Sequence, residues 1–541
     1  MIPATTLHHL LPIERPYRLL GEFLLVVLAM SLSAAASEES ELDGLPIVRI
    51  VCERYNIFDT SEPKTSKWPY RAANAVHILS RERFIRSMLL FGEGDSYSAA
   101  NAAESARLLR ALGIMNPVEI SAREIEGGVE VLVETHDHWS LQIGGDAGLS
   151  GNRGTFGLQI QEENFLGWGK ELSLGFDSDV ERDSWNFGYA DPNLFGSRWT
   201  SELAYQNRTD GFLKRILVER PFFSLDTRRA WGGRWVSEEL TEHLYSANES
   251  VVQGRRRSDL LRGWYGIQLG ATGTVTRRLT VGWDAQQVNY DAWHWVDTGD
   301  PYPSPLPLDI SGIRVGYEQV THNYEVLYGL RAWSSQEDIG FGPNFTFGAT
   351  FSGPALGGDI SRVLFDGLFS LARHQGRWML MGDAWLSGRF DRSEPRDVLL
   401  GIQLVAAQIG ERGFQFRLLV DASHKLQLDR QLTLGADVGL RGWDPDYFDG
   451  TGRALINAQW RTIVFRDVLQ LFSVGVVVFT DAGKTWNPRL GADTGGVRAD
   501  AGAGLLFDVS RLSMNNVLRV EVAWPDDRSG PVVTLTGSAL F

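Results

Sequence analysis

The chain has 541 residues, 43% of them hydrophobic, with a formal net charge of −15 and a mean hydropathy of −0.15. That length allows two or three domains, the hydropathy excludes a bundle of membrane-spanning helices, and the acidic balance argues against nucleic acid as a partner. The largest basic cluster, Arg255-Arg256-Arg257, reads as a solvated loop.

In chain order, residues 1–36 read as a secretory signal peptide: Arg15 and Arg18, an apolar core at 19–32, and Ala34-Ala35-Ala36 as an A-x-A cleavage site. Cys52 is the one cysteine, so no intrachain disulfide forms, and a buried strand position is expected for it.

Residues 45–139 mix strand and helix. A strand is expected over 47–58, then a helix over 80–91, where Phe84, Ile85, Met88 and Leu89 fall at helical spacing. Gly92-Glu93-Gly94-Asp95 breaks it. Ser98 caps a second helix, with Ala102, Ala103, Ala106, Leu109 and Leu112 on one face, which Asn116-Pro117 ends. Strands at 118–125 and 129–135 follow, joined at Gly127-Gly128. His136 and His138 share a face of the last strand. They and Trp139 are expected to form a hinge at a membrane interface, with no metal.

From 141 to 541 the pattern is hairpin after hairpin, starting with segments at 155–163, 170–180, 184–191, 198–207 and 212–222. Long polar connections are expected at 238–258 and 297–309. Each segment alternates apolar with polar or small residues and is of roughly the ten-residue length that lets a tilted strand cross a bilayer. Counted this way the segments number about 20. Eighteen Trp, 14 Tyr, 27 Phe and 58 Gly suit the aromatic girdles and crowded strands of a membrane barrel.

Near the end, Phe472, Val474, Val476 and Val478 lie opposite Ser473, Gly475 and Asp481, so Asp481 is expected to point inward. Leu518, Val520, Val522 and Trp524 lie opposite Arg519 and Glu521; Val533, Leu535, Ala539 and Phe541 lie opposite Thr534, Thr536 and Ser538. No G-x-S-x-G elbow, H-E-x-x-H, phosphate loop or dinucleotide fingerprint occurs. His322, His374 and His424 are the histidines a barrel enzyme would draw on.

Leu440-Arg441-Gly442-Trp443 resembles the (V/L)-R-G-(F/Y) loop motif of the BamA/TamA superfamily of outer-membrane proteins, also called the bacterial surface antigen family. Phe479-Thr480-Asp481-Ala482-Gly483 resembles its F-x-D-x-G strand motif. The order of elements in 45–139, with Leu90-Phe91-x-x-Gly94-Asp95, resembles one POTRA domain. The resemblance implies a membrane all-β fold: one periplasmic α+β POTRA domain at 45–139 and a transmembrane antiparallel barrel at 140–541 with 16 strands. Some candidate segments in 324–430 must then be loop or halves of long strands.

The resemblance also implies a loop around 440–452 folded into the lumen, an Arg441–Asp481 pair, and Phe541 as the signal for the chain's own insertion. Gln459 stands where the family often has a second carboxylate. The implied activity is insertion or translocation of polypeptides at the outer membrane of a Gram-negative bacterium, by POTRA capture and opening of the seam between first and last strands. No cofactor and no catalytic or metal residue is implied. Expected partners are unfolded outer-membrane or secreted polypeptides, membrane lipid and lipopolysaccharide, and periplasmic or outer-membrane accessory proteins. A passive pore and a barrel enzyme are the alternatives.

Overall fold

A computed structural model describes residues 41–150, 153–179, 181–272, 274–469, 471–490, 494–509, 517–527, 530–538 and 540. The expected signal peptide and Phe541 lie outside the described residues.

The first unit is a three-stranded sheet with three helices. Strand β1 (Ile47–Tyr55) runs parallel to β3 (Gly128–Asp137), which pairs antiparallel with β2 (Met115–Ile125), giving the order β1-β3-β2. The helices are α1 (Trp68–Val76), α2 (Glu82–Met88) and α3 (Ala99–Arg110). On α2, the spacing of Phe84, Ile85 and Met88 puts all three on one face. They pack with Leu109 of α3 and with Ile47, Val118, Val129, Val131 and Val133 of the sheet. Each such side chain contributes about 1.5–3 kcal/mol by leaving water. The Ser98 hydroxyl accepts from the Asn101 N–H and so caps α3.

Helix α1 was not expected, and the reason is physical. None of its residues is buried, so it carries no core-facing stripe for a hydrophobic pattern to reveal; Pro69 at its first turn fixes its start.

The rest of the chain is one antiparallel ring. Its strands are β4 (Leu141–Ser150), β5 (Arg153–Glu162), β6 (Glu171–Ser178), β7 (Asp183–Leu194), β8 (Trp199–Arg208), β9 (Gly211–Arg220), β10 (Arg229–Ser246), β11 (Glu249–Thr272), β12 (Val275–Tyr290) and β13 (Leu308–Thr321). They continue as β14 (Glu337–Ser352), β15 (Arg362–Gln375), β16 (Trp378–Asp391), β17 (Glu394–Gln408), β18 (Arg412–His424), β19 (Gly452–Val468), β20 (Phe472–Trp486), β21 (Arg498–Val509), β22 (Val517–Pro525) and β23 (Val532–Ser538). The ring closes with β23 beside β4.

The described ring therefore has 20 strands of seven residues or more, where 16 were expected. The extra strands come from the region read as loop or half-strand: β14 to β18 are all complete and paired along their length. Residues 238–258, expected as a loop, are instead the tip of the longest hairpin. Its strands β10 and β11 turn at Ala247 and Asn248, both with positive φ. There Arg256 pairs with Glu238 and Glu242, and Arg255 with Glu239. Alternating charges made strand look like loop, because opposite charges across a ladder stabilise it as well as apolar pairs do.

Outward positions such as Leu174, Ile216, Val281, Phe351, Leu404, Leu505 and Leu535 are apolar and exposed, while inward Asp284, Gln415, Asn457, Asp481 and Glu521 are buried. This is the reverse of a water-soluble protein. No described helix is long and apolar enough to cross a membrane.

The α+β unit sits on the rim formed by the turns after β5, β7 and β13. Asn164 Nδ2 donates to Ser80 Oγ at 2.9 Å, Asn193 Nδ2 to Ser87 Oγ at 2.7 Å, and Arg110 Nε to Asp338 Oδ2 at 2.7 Å. Gly169 must be glycine here, since a Cβ would stand 2.1 Å from Cζ of Phe84.

Candidate functional site in the lumen

The inward residues of β19 form a spine that grips chain entering from both ends of the barrel. Nearest the rim opposite the α+β unit, Arg453 Nε donates to Asp421 at 2.6 Å and its Nη1 to the Thr433 carbonyl at 2.5 Å. Asn457 Nδ2 donates to the Gly439 carbonyl at 2.7 Å and to Asp481 Oδ1 at 2.6 Å. Both carbonyls belong to the long connection between β18 and β19, residues 425–451, which folds into the lumen. Strand resumes at Gly452, the last residue of the loop expected around 440–452.

That loop has its own small core. Leu434, Val438, Leu440, Trp443 and Phe448 pack on Leu419 of β18 and Leu455 of β19. Leu432–Leu434 pairs with Phe448–Gly450 to close its base. The core presents Arg441 to the wall. Arg441 Nε and Nη2 each donate to Asp481 at 2.8 Å, a bidentate pair, and the guanidinium lies 3.5 Å from the centre of the Phe479 ring. Gly442 N–H donates to Asp500 Oδ2 at 2.8 Å; a Cβ on Gly442 would come within 2.6 Å of Asp500 Cβ. A Cβ on Gly483 would meet Leu434 of the loop at 2.9 Å. Leu440, Arg441, Gly442, Trp443, Phe479, Asp481 and Gly483 thus converge on one contact.

Gln459 also belongs to it, accepting from Arg441 Nη1 at 3.2 Å. The neutral amide does not leave Arg441 with a single carboxylate. Glu521 of β22 accepts from Arg441 Nη1 at 3.1 Å, and from Arg519 Nη2 at 2.7 Å. The sequence signal for Glu521 was its place with Arg519 on the inward face. What the sequence hid is reach: Glu521 pairs with Gly504 across the ladder, and a Cβ there would stand 2.7 Å from Glu521 Cγ. The bare glycine lets the carboxylate lean toward the loop.

Further down the spine, Arg461 donates to the carbonyls of Arg331 at 2.7 Å, Leu330 at 2.5 Å and Gly329 at 3.2 Å. This second inward segment, residues 328–336, comes from the rim that carries the α+β unit. Leu330 is fully buried, the Trp333 N–H donates to Asp508 at 2.7 Å, and the Ser334 hydroxyl to the same carboxylate at 3.0 Å. Nothing in its composition marks it as a plug, because Arg461 holds it through backbone carbonyls. Between the two segments, Gln459 Nε2 and Arg519 Nη1 donate to the Leu540 carbonyl at 2.5 and 2.7 Å. The Leu540 carbonyl is therefore turned into the lumen.

The histidines do not converge. His374 bonds Glu325 and the Gly376 carbonyl on one rim, and His424 is exposed on the other. His136 stacks on Tyr55 at 4.5 Å. Among the described residues, no group of three or more His, Cys, Asp or Glu is placed to hold a metal.

No family model and no curated protein matches the chain. Among solved structures it is similar to CdiB from Acinetobacter baumannii, at 11% identity over 91% of this chain and 73% of that one, with a TM-score of 0.43. It is similar to CdiB from Escherichia coli at 12% identity over 97% of this chain and 95% of that one, TM-score 0.40. It is also similar to BamA from Haemophilus ducreyi lacking POTRA domains 1–3, at 14% identity over 91% and 84% of the two chains, TM-score 0.38. At scores this low the likenesses assign neither residue nor activity, and the functional reading rests on the lumen of this chain.

Proposed function

We propose that this protein is an outer-membrane barrel that inserts or translocates polypeptides. In this reading residues 45–139 are a periplasmic POTRA unit and 140–541 span the membrane. The observation that carries the reading is the double hold of β19: Asn457 on the far loop and Arg461 on the segment beside the α+β unit. A structural wall has no need of two inward folds fastened at opposite ends. A gated conduit does.

Strand pairing around the ring supplies backbone partners that a bilayer does not, and its exposed apolar rows face lipid, with lipopolysaccharide on the far side. The α+β unit receives an extended client, with β1 and β2 as its open edges. Arg110 and Asn116 of that unit bond Asp338 and the Gln336 carbonyl, directly after the segment that Arg461 holds. A client that shifts the unit therefore pulls on the segment. The Arg441 loop keeps the other end shut until the β23–β4 seam opens. No step uses a cofactor or a covalent intermediate. Accessory proteins of the periplasm or outer membrane would dock on the same unit.

The test is a purified protein in lipid vesicles with an unfolded barrel protein as client. Insertion by the wild type that Arg441→Ala abolishes supports the reading. Ion conductance without effect on any client makes the protein a passive pore, and turnover of lipid or peptide with no added factor makes it an enzyme.

A further inference from the structure

Where α1 ends, the α+β unit overhangs the outer wall of the barrel instead of its mouth. Val76 and Ile78 face Leu172, Leu174 and Ile160 of β5 and β6 across a cavity of about 320 Å³, with Trp139 at its edge. Ile160 and Leu174 are opposite one another in the ladder and belong to the outward apolar rows. The overhang is fixed in place. His77 Nε2 lies 3.0 Å from Asp137, which also accepts from the N–H and hydroxyl of Ser80 at 2.7 and 2.9 Å.

No residue of helix α1 is fully buried. Trp68 is 78% exposed, Val76 66% and Ile78 48%. Lys67 and Arg71, at and after its start, are exposed as well. At the same end the Tyr70 hydroxyl donates to the Leu469 carbonyl, in a turn whose own leucine is 65% exposed. A short helix whose Tyr70 and Asn74 rest on Phe58 while Trp68 and Val76 stay uncovered, flanked by cations, has the make-up of one that lies in a membrane interface.

We propose that α1 and Ile78 are a lipid clamp: the cavity takes an acyl chain of a periplasmic-leaflet phospholipid, and Lys67 and Arg71 meet phosphate headgroups. The inference rests on the reading of the ring as a membrane barrel, because the cavity is continuous with the ring's outward face. That continuity is also why the occupant is lipid and not client polypeptide: the groove opens sideways onto the hydrocarbon belt beside β4, away from the lumen. The clamp fixes the height of the α+β unit next to the seam.

The experiment uses full-length protein in a Cys52→Ser background, with an environment-sensitive fluorophore on single cysteines introduced as Val76→Cys, Ile78→Cys, Leu174→Cys or Glu124→Cys. Each is reconstituted in vesicles of ordinary or chain-brominated phosphatidylglycerol and phosphatidylethanolamine. Bromine should quench the Leu174, Val76 and Ile78 labels and leave Glu124 bright. Quenching at Leu174 alone overturns the clamp while the barrel stays in the membrane. No quenching at Leu174 overturns the membrane reading and the clamp with it. Because Val76 and Ile78 are exposed, labelling them leaves the fold intact, and a second measurement stands beside the quenching: Lys67→Glu with Arg71→Glu should lower the Val76 quenching in anionic vesicles without changing that at Leu174. Unchanged Val76 quenching in that variant removes the headgroup contact from the proposal.

Discussion

Arg441 and Glu521 are 80 positions apart in the chain and 3.1 Å apart in the lumen. With the bidentate Asp481 contact on the other side of the guanidinium, the arginine is held between two carboxylates from non-adjacent strands, and both are almost fully buried. Removing the cation leaves Asp481 with the neutral Asn457 amide and Glu521 with Arg519, whereas removing either anion leaves the cation one carboxylate.

Arg441→Ala should therefore cost about 3–5 kcal/mol, the range for breaking a buried pair from one side. Glu521→Gln should cost less, since Asp481 still holds Arg441, and Gln459 and the Leu540 carbonyl still accept from Arg519. Arg441→Lys keeps the charge and loses the two-pronged geometry, so it should fall between them. Denaturant unfolding of the reconstituted barrel reads the order, and an equal loss for Glu521→Gln and Arg441→Ala contradicts it.

Gly442→Ala tests the loop's approach to the wall without touching a charge. A new Cβ 2.6 Å from Asp500 Cβ must push loop and strand apart, at a cost of about 1–3 kcal/mol typical of overpacking. Its thermal midpoint should drop, and protease should gain access to residues 425–451. Wild-type protection of that loop in Gly442→Ala sinks the close-contact account.

The two plugs should act in series. Arg461→Ala releases three carbonyls of residues 329–331, and Arg441→Ala releases the opposite loop. Planar-bilayer recordings should show little conductance for either single variant and a large rise for the double. A full opening by Arg461→Ala alone means that the far loop does not seal.

Arg110→Ala removes the bridge to Asp338, a charged contact worth roughly 1.5–3 kcal/mol. Hydrogen exchange should speed up in residues 328–336 as well as in α3. Acceleration confined to α3 breaks the link between the unit and the plug.

Cys52 provides a pH test outside the membrane. Burial on the inner side of β1 pushes its thiol up, and nearby Arg86 only partly offsets this. The folded protein then holds less thiolate than a free cysteine at the same pH. Stability from a raised thiol is present below the unfolded value and fades as pH climbs through the folded one. Alkylation at pH 8 should be slow until denaturant is added; equal rates in both states remove the burial.

Much of the architecture was legible in the chain because two-residue alternation is a local property. Asp481 and the Arg519 and Glu521 pair could be placed on an inward face from parity alone, and Phe84, Ile85 and Met88 on one helical face from spacing. Counting segments gave about 20 strands, and the described ring has 20 of seven residues or more. The smaller number came from resemblance. Helix α1 was missed because it has no core face, and β10 with β11 because paired charges imitate a loop.

What the sequence determined by itself is which side of each strand faces in, since that follows from the pleat and needs no partner. Only the tertiary structure decided which inward groups meet. Glu521 reaches Arg441 over a bare glycine, and residues 328–336 become a plug through backbone carbonyls that every residue carries. Contacts set by ring curvature, by a missing side chain or by main-chain atoms leave no trace in a pattern of residue types.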